Sequence, residues 1–360
     1  MIRKLEVEGV TVFPQKTAFE FVPGINIIVG DNDSGKTHLM KLSYALSKWS
    51  EKSLRREFPE TWAEEERLHR HLLRAYGTQA LASLASRYRQ SEQARVHASL
   101  TGEKAPLGCC EVEFDFHPDK ESEELHITTM PQRFLQENAL FIPPHETLTL
   151  YPYYSQQGKR NPDMPDALSR ELCRALDTEQ TGEEPQELRS VMRLIEHMLQ
   201  GKLIRHNARF LLKRRNEQPM ELSMVAEGFK RIGTIGLLIG NGTLRPGTSL
   251  FWDEPEMNLN TAQLPLLGGI MMGLCQAGVQ LMITTHSLFL LRELVIRLNQ
   301  TENRSVTRRF IGLQAPPTPY GAVQVTAGSS PHDIGPLDCL KAEMEQADRY
   351  LSLSDIANYQ

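Results

Sequence analysis

The chain has 360 residues, 40% of them hydrophobic and 24% charged, which suits a folded globular protein of one large domain or two. A net charge of −5 excludes a global basic footprint for nucleic acid, although a local basic surface stays open. No apolar run approaches the roughly 20 residues of a membrane helix, and Met1–Val7 alternates like a strand and lacks a signal-peptide core, so the chain is read as cytoplasmic with no membrane partner.

Residues 2–8 and 17–22 read as strands, with a turn at Phe13-Pro14-Gln15-Lys16 and another at Pro23-Gly24. The apolar run Ile25-Asn26-Ile27-Ile28-Val29 predicts a buried strand that enters Gly30-Asp31-Asn32-Asp33-Ser34-Gly35-Lys36-Thr37. This stretch fits G-x-x-x-x-G-K-[ST], the phosphate-binding loop. The helical pattern of Leu39, Met40, Leu42, Tyr44, Ala45 and Leu46 follows, running to about Trp49. Strand, glycine loop and helix are what the chemistry needs: successive backbone N–H groups and a helix N-terminus converge on phosphates. Lys36 is then expected at the β- and γ-phosphates of ATP, and Thr37 on Mg²⁺. The competing reading is a glycine-containing turn that matches by accident.

Residues 51–93 are rich in charge and read as a helical insertion, with helices over about 60–76 and 79–88 and a capping box at Thr61-Trp62-Ala63-Glu64. Trp62, Leu68, Leu72, Leu73 and Tyr76 give an imperfect stripe, which suits a lobe packed on the core or a docking surface for a partner. Alternation over 94–100, 109–116 and 123–129 predicts an antiparallel meander. Ala139-Leu140-Phe141-Ile142 reads as a buried strand ended by Pro143-Pro144, before an aromatic, proline-containing loop over 151–165. Helices are expected over 164–177 and 186–199, separated by the acidic linker Asp177 to Glu184. Residues 202–215 hold the densest basic cluster: Lys202, Arg205, His206, Arg209, Lys213, Arg214 and Arg215. It reads as a hairpin with a positive face or as a contact to a DNA or RNA backbone. The five cysteines form no C-x-x-C pair and are read as reduced, with no zinc site.

Three further motifs set the chemistry. The strand Ser249-Leu250-Phe251-Trp252 ends in Asp253-Glu254-Pro255-Glu256, which places Asp253 on the metal's water shell and Glu254 where it orients or deprotonates the attacking water. A buried strand that ends at two surface acids is the alternative. Val279-Gln280-Leu281-Met282-Ile283 runs into Thr284-Thr285-His286-Ser287, and His286 is expected at the γ-phosphate. Ala226-Glu227-Gly228 opens an apolar helix through Ile239, a terminus suited to the nucleotide of a second subunit.

These residues resemble the ATP-binding-cassette (ABC) ATPases in the branch of DNA-repair and chromosome-maintenance ATPases. They resemble still more the ATPases of bacterial anti-phage systems: the Septu and retron-associated ATPases, the PARIS ATPase subunit and the ATPase half of the overcoming-lysogenization-defect nucleases. The likeness covers 1–50 and 140–300. It aligns Ala226-Glu227-Gly228 with the family signature and Phe141-Ile142-Pro143-Pro144-His145-Glu146 with the glutamine-loop position, where no glutamine stands. The signature serine falls on Ala226, and the histidine that follows the acid loop falls on Asn260.

The resemblance implies an α/β fold: an ABC-type ATPase core over 1–50 and 130–300, a mixed sheet and an antiparallel subdomain at 94–129. The tail 301–360, which the likeness covers weakly, reads as two strands (306–313, 320–327) and a helix (337–351), too few residues for a separate nuclease domain. It implies ATP with Mg²⁺, head-to-tail self-assembly, a phage protein as trigger, and control of a nuclease or toxin encoded nearby. A DNA-end ATPase, a transporter subunit and an ATP-binding scaffold are the alternatives.

Overall fold

The computed structural model describes residues 1–53, 61–86, 93–101, 110–117, 124–134, 137–156, 166–178, 185–207, 209–315, 321–335 and 338–357. In chain order the elements are β1 (Ile2–Glu8), β2 (Thr17–Glu20), β3 (Ile25–Gly30), α1 (Lys36–Ser53), α2 (Thr61–Tyr76), β4 (Ala94–Leu100), β5 (Glu111–Phe116), β6 (Leu125–Thr129) and β7 (Ala139–Ile142). Next come α3 (Tyr151–Gln156), α4 (Ala167–Leu176), α5 (Arg189–Leu199), β8 (Gly201–His206), β9 (Arg209–Arg214), β10 (Met220–Glu221), α6 (Glu227–Gly240) and β11 (Ser249–Asp253). The last are α7 (Leu264–Gln276), β12 (Gln280–Thr285), α8 (Leu288–Leu298), β13 (Arg308–Gln314), β14 (Gln324–Gly328) and α9 (Asp338–Ala357). No helix among the described residues is long and apolar enough to cross a membrane.

Among the described residues, three sheets organise the chain. A six-stranded sheet runs β14-β13-β3-β12-β11-β7, parallel except for the antiparallel edge β14. Its central strands β3, β11 and β12 are buried at every residue, as continuous apolar runs covered on both faces demand. The five-stranded sheet β2-β1-β4-β5-β6 is antiparallel throughout, and the hairpin β8-β9 takes β10 as its third strand. Two apolar cores result. One gathers α5, α6 and α7 against one face of the six-stranded sheet; the other packs α1, α2 and the five-stranded sheet against the opposite face. Buried Gln280 joins the sheets, donating to Ile2 O (2.8 Å) and Val22 O (2.9 Å) and accepting from the Ile2 N–H (3.1 Å).

Several sequence expectations change here. The stretch from Tyr151 is helical to Gln156, because Pro152 sits in the first turn, where its missing N–H is not needed; residues 157–165 lie outside the described ones. Glu64 forms no capping box. It is buried and accepts hydrogen bonds from Trp49 Nε1 (2.9 Å), Ser53 Oγ and Arg67, which fastens α2 to α1. The second insertion helix is a short 3₁₀ turn, Leu81–Leu84, after which Ser86 N–H bonds Gly9 O (2.7 Å); residues 87–88 are outside the described set, as are 109 and 320. The C-terminal strands also belong to the central sheet: β13 pairs in parallel with β3, Arg308 opposite Ile25. Cys110, Cys173 and Cys275 are free thiols.

Candidate functional site

Strand order builds the site. β3 lies between β13 and β12, and β12 beside β11, so the strand ends Gly30, Thr285 and Asp253 emerge side by side. The loop between β3 and α1 needs its glycines. A Cβ on Gly35 (φ +91°) would lie 2.4 Å from Val12 Cγ2, and one on Gly30 would lie 2.3 Å from Leu313 O. Asp33 takes the left-handed region at φ +62°. Lys36 opens α1, is buried, and folds its Nζ back to donate to Gly30 O and Asp31 O, 2.7 Å each. Ser34 Oγ is buried with no hydrogen-bond partner.

Asp253 is the meeting point. It is 1% exposed and accepts from Thr37 Oγ1 (3.0 Å) and from Thr284 Oγ. Burial pushes its carboxyl pKa up, and the two hydroxyls oppose that rise. Glu254, the next residue, has φ +45°. Its N–H donates to Thr284 Oγ1 (3.1 Å), and its Oε1 lies 3.2 Å from His286 Nδ1. Glu256 is bonded by Thr285 Oγ1; its Oε2 is buried without a partner, and burial raises its pKa. His286 immediately precedes Ser287, whose side chain caps α8. The acid strand, the glycine loop and His286 are thus brought together at adjacent strand ends.

The segment Ala226-Glu227-Gly228 stands elsewhere. It opens α6 and packs on the loop after the acids: a Cβ on Gly228 would lie 2.4 Å from Asn258 O, and Asn258 Nδ2 donates to Glu227 Oε2 (2.8 Å). Ala226 is the N-cap of α6 and supplies no side-chain bond. Asn260 caps the 3₁₀ turn Thr261–Gln263 in a capping box with Gln263.

Sequence reasoning missed several residues. Arg231, inside α6, is buried and donates only to main-chain oxygens around Asp253 and Pro143. Nothing local singles it out, since Lys230 beside it is also charged and also buried. The Thr284 and Thr285 hydroxyls each hold one site acid, an assignment that needs the register of β11 and β12. After β7, His145 Nε2 lies 2.9 Å from Ser169 Oγ and 3.2 Å from Asp166, which caps α4. An apolar cavity of 820 Å³ lies between α8 and α9, with Leu288, Leu291, Val295, Ile296 and Met344 in its lining.

The donor set suits a triphosphate with a hard cation. Backbone N–H groups at the start of α1, the Ser34 hydroxyl that lacks a partner and the Lys36 ammonium converge on one loop, and Thr37 and Asp253 offer oxygens of the kind Mg²⁺ takes.

The chain is similar to known proteins in part of its sequence and in its fold. Residues 126–292, from β6 into α8, match the family described as "AAA domain, putative AbiEii toxin, Type IV TA system". No curated protein sequence matches the chain. Among solved structures, the SmcHead bound to the C-winged helix domain of ScpA superposes with a TM-score of 0.54 at 15% identity, over 92% of this chain and 98% of that one. The Smc head domain with an extended coiled coil, bound to the C-terminal domain of ScpA and derived from Pyrococcus furiosus, gives 0.52 at 13% identity, over 97% and 99%. At such identities the likeness is one of fold, and the fold of this chain is that of the ABC-type P-loop ATPases in their SMC-head-like form.

Proposed function

We propose that the chain binds ATP with Mg²⁺ and hydrolyses it, and that two copies pair head to tail so that each offers Ala226-Glu227-Gly228 to the other's nucleotide. The cycle senses phage infection and controls a separate nuclease or toxin effector. One observation carries the ATPase reading: Thr37, Asp253 and the Glu254–His286 pair meet at adjacent strand ends, beside a glycine loop with a helix behind it. When bound, Mg²⁺ neutralises charge on the β- and γ-phosphates. The chain's own residues then divide the work. Lys36 and the loop N–H groups hold the phosphates, Thr37 and Asp253 hold the metal and its waters, and Glu254 takes a proton from the attacking water while His286 steadies its carboxylate.

The defence role is supported by the toxin-linked description of the matching family. Self-pairing is supported by exposed apolar side chains beside three site motifs: Met224 before the Ala226 segment, Met257 after Glu254, and Phe289 after His286. The DNA-end alternative rests on the basic hairpin, and there Arg205 pairs with Asp177, Arg209 with Glu221 and Arg214 with Glu217, which spends much of its charge internally.

Cells expressing the chain together with the product of the adjacent gene should survive phage challenge, and Lys36→Ala should remove both that protection and ATP binding in calorimetry. Full protection by the chain alone contradicts the effector. Unchanged ATP affinity in Lys36→Ala contradicts the site.

A further inference from the structure

Arg231 lies in the second turn of α6 and is 2% exposed. A buried guanidinium ordinarily finds a carboxylate. Here Nη1 donates to Glu254 O (2.8 Å) and Met257 O (3.2 Å), and Nη2 donates to Asp253 O (2.8 Å) and Pro143 O (3.4 Å). All of these acceptors are main-chain oxygens: Asp253 O ends β11, Glu254 O and Met257 O lie in the turn that follows it, and Pro143 O follows β7. That turn contains Glu254 at φ +45°, a left-handed conformation that a residue with a side chain keeps only where its surroundings impose it. Both of its peptide groups are fixed: the Glu254 N–H by Thr284 Oγ1 (3.1 Å), and its carbonyl by Arg231 together with the Met257 N–H (3.1 Å), which closes the turn.

We infer that Arg231 is a positioning residue for Glu254: its planar fork holds the left-handed turn after β11 and so aims the Glu254 carboxylate toward the reacting water. This rests on the reading of Glu254 as the base. The geometry separates two quantities. Arg231 touches neither the glycine loop nor Lys36 in any bond described above, so nucleotide affinity does not depend on it. The rate does, because a shift of about 1 Å in a reacting group costs on the order of 10²-fold. Lysine retains the charge but cannot span the same acceptors with a fork.

The test uses the full chain as wild type, Arg231→Lys and Arg231→Met. Two measurements are made on each: steady-state ATP hydrolysis with nucleotide affinity, and hydrogen exchange at the Glu254 and Met257 amides without nucleotide. In Arg231→Lys, kcat should fall by about 10- to 100-fold, with ATP affinity within about threefold of wild type. The two amides should be protected in wild type and exchange at least about tenfold faster in the variants. Wild-type kcat in Arg231→Lys would overturn the inference. So would exchange in the wild-type protein as fast as an exposed loop, a result that needs no folded variant. A wild-type chain that hydrolyses no ATP contradicts the proposed function, and the exchange measurement still decides the role of Arg231.

Discussion

Glu254 joins three constraints in one residue: a left-handed backbone, an N–H on Thr284 and a carboxylate against His286. Glu254→Gln keeps the shape and loses the basicity. ATP should still bind, and turnover should fall by about 10²- to 10⁴-fold, read as phosphate release under saturating ATP. A wild-type rate in this variant would move the role of base to Glu256 or His286. Much of the candidate site was legible from sequence, because Lys36, Thr37, Asp253 and Glu254 follow continuous apolar runs at spacings that few other structures require. Arg231 was not legible. An arginine in the sequence carries no mark of burial, and its acceptors are carbonyl oxygens that every residue possesses. The hydroxyls of Thr284 and Thr285 were hidden for a related reason: which acid each one serves depends on pairing between β11 and β12, not on local order.

Among the elements, α6 carries the clearest local deficit. Its N-cap is Ala226, which offers no oxygen to the first-turn N–H groups of a helix that is otherwise buried along most of its length. Ala226→Ser should therefore raise stability by about 1 kcal/mol, read as an increase in melting temperature without nucleotide. It should also speed hydrolysis if the segment meets a second subunit's nucleotide, because a hydroxyl donor returns to the γ-phosphate. The two effects separate cleanly: melting reports the cap, and turnover reports the contact across the pair. An unchanged rate with a raised melting temperature would confine Ala226 to its helix. The other helices illustrate what local patterns miss. Thr61 and Glu64 have the spacing of a cap, yet the acid turns inward to Trp49 and Ser53 on α1. Proline in the aromatic stretch after Leu150 suggests a loop, yet at Pro152 it merely starts a helix.

At the scale of the whole molecule, the alternating and apolar runs marked strands and helices and the family resemblance implied the α/β fold, but neither showed which strands meet. β1 pairs with β4 across the insertion, and β13 closes on β3 from the far end of the chain. Such pairings join residues distant in sequence and leave no periodicity behind. The exposed Met224, Met257 and Phe289 give a prediction at this scale. With ATP and the slowed Glu254→Gln chain, light scattering should detect a dimer. Adding Met224→Glu or Phe289→Glu should weaken that dimer at least about tenfold, about 1.4 kcal/mol, while ATP binding to the monomer persists. Dimers of unchanged strength would place the pairing surface elsewhere. The place of β3 between β12 and β13 also has a consequence for biosynthesis. The glycine loop is made early, yet both strands that flank its own are made late, with Thr285 and Leu313 among the residues beside it. At roughly 5–20 residues per second on the ribosome, the loop waits on the order of tens of seconds for its neighbours. A chain cut short by a premature stop or a nuclease-cleaved message would carry the whole glycine motif without the strands that flank β3, so under the proposed function ATP binding should appear only once translation has passed β13.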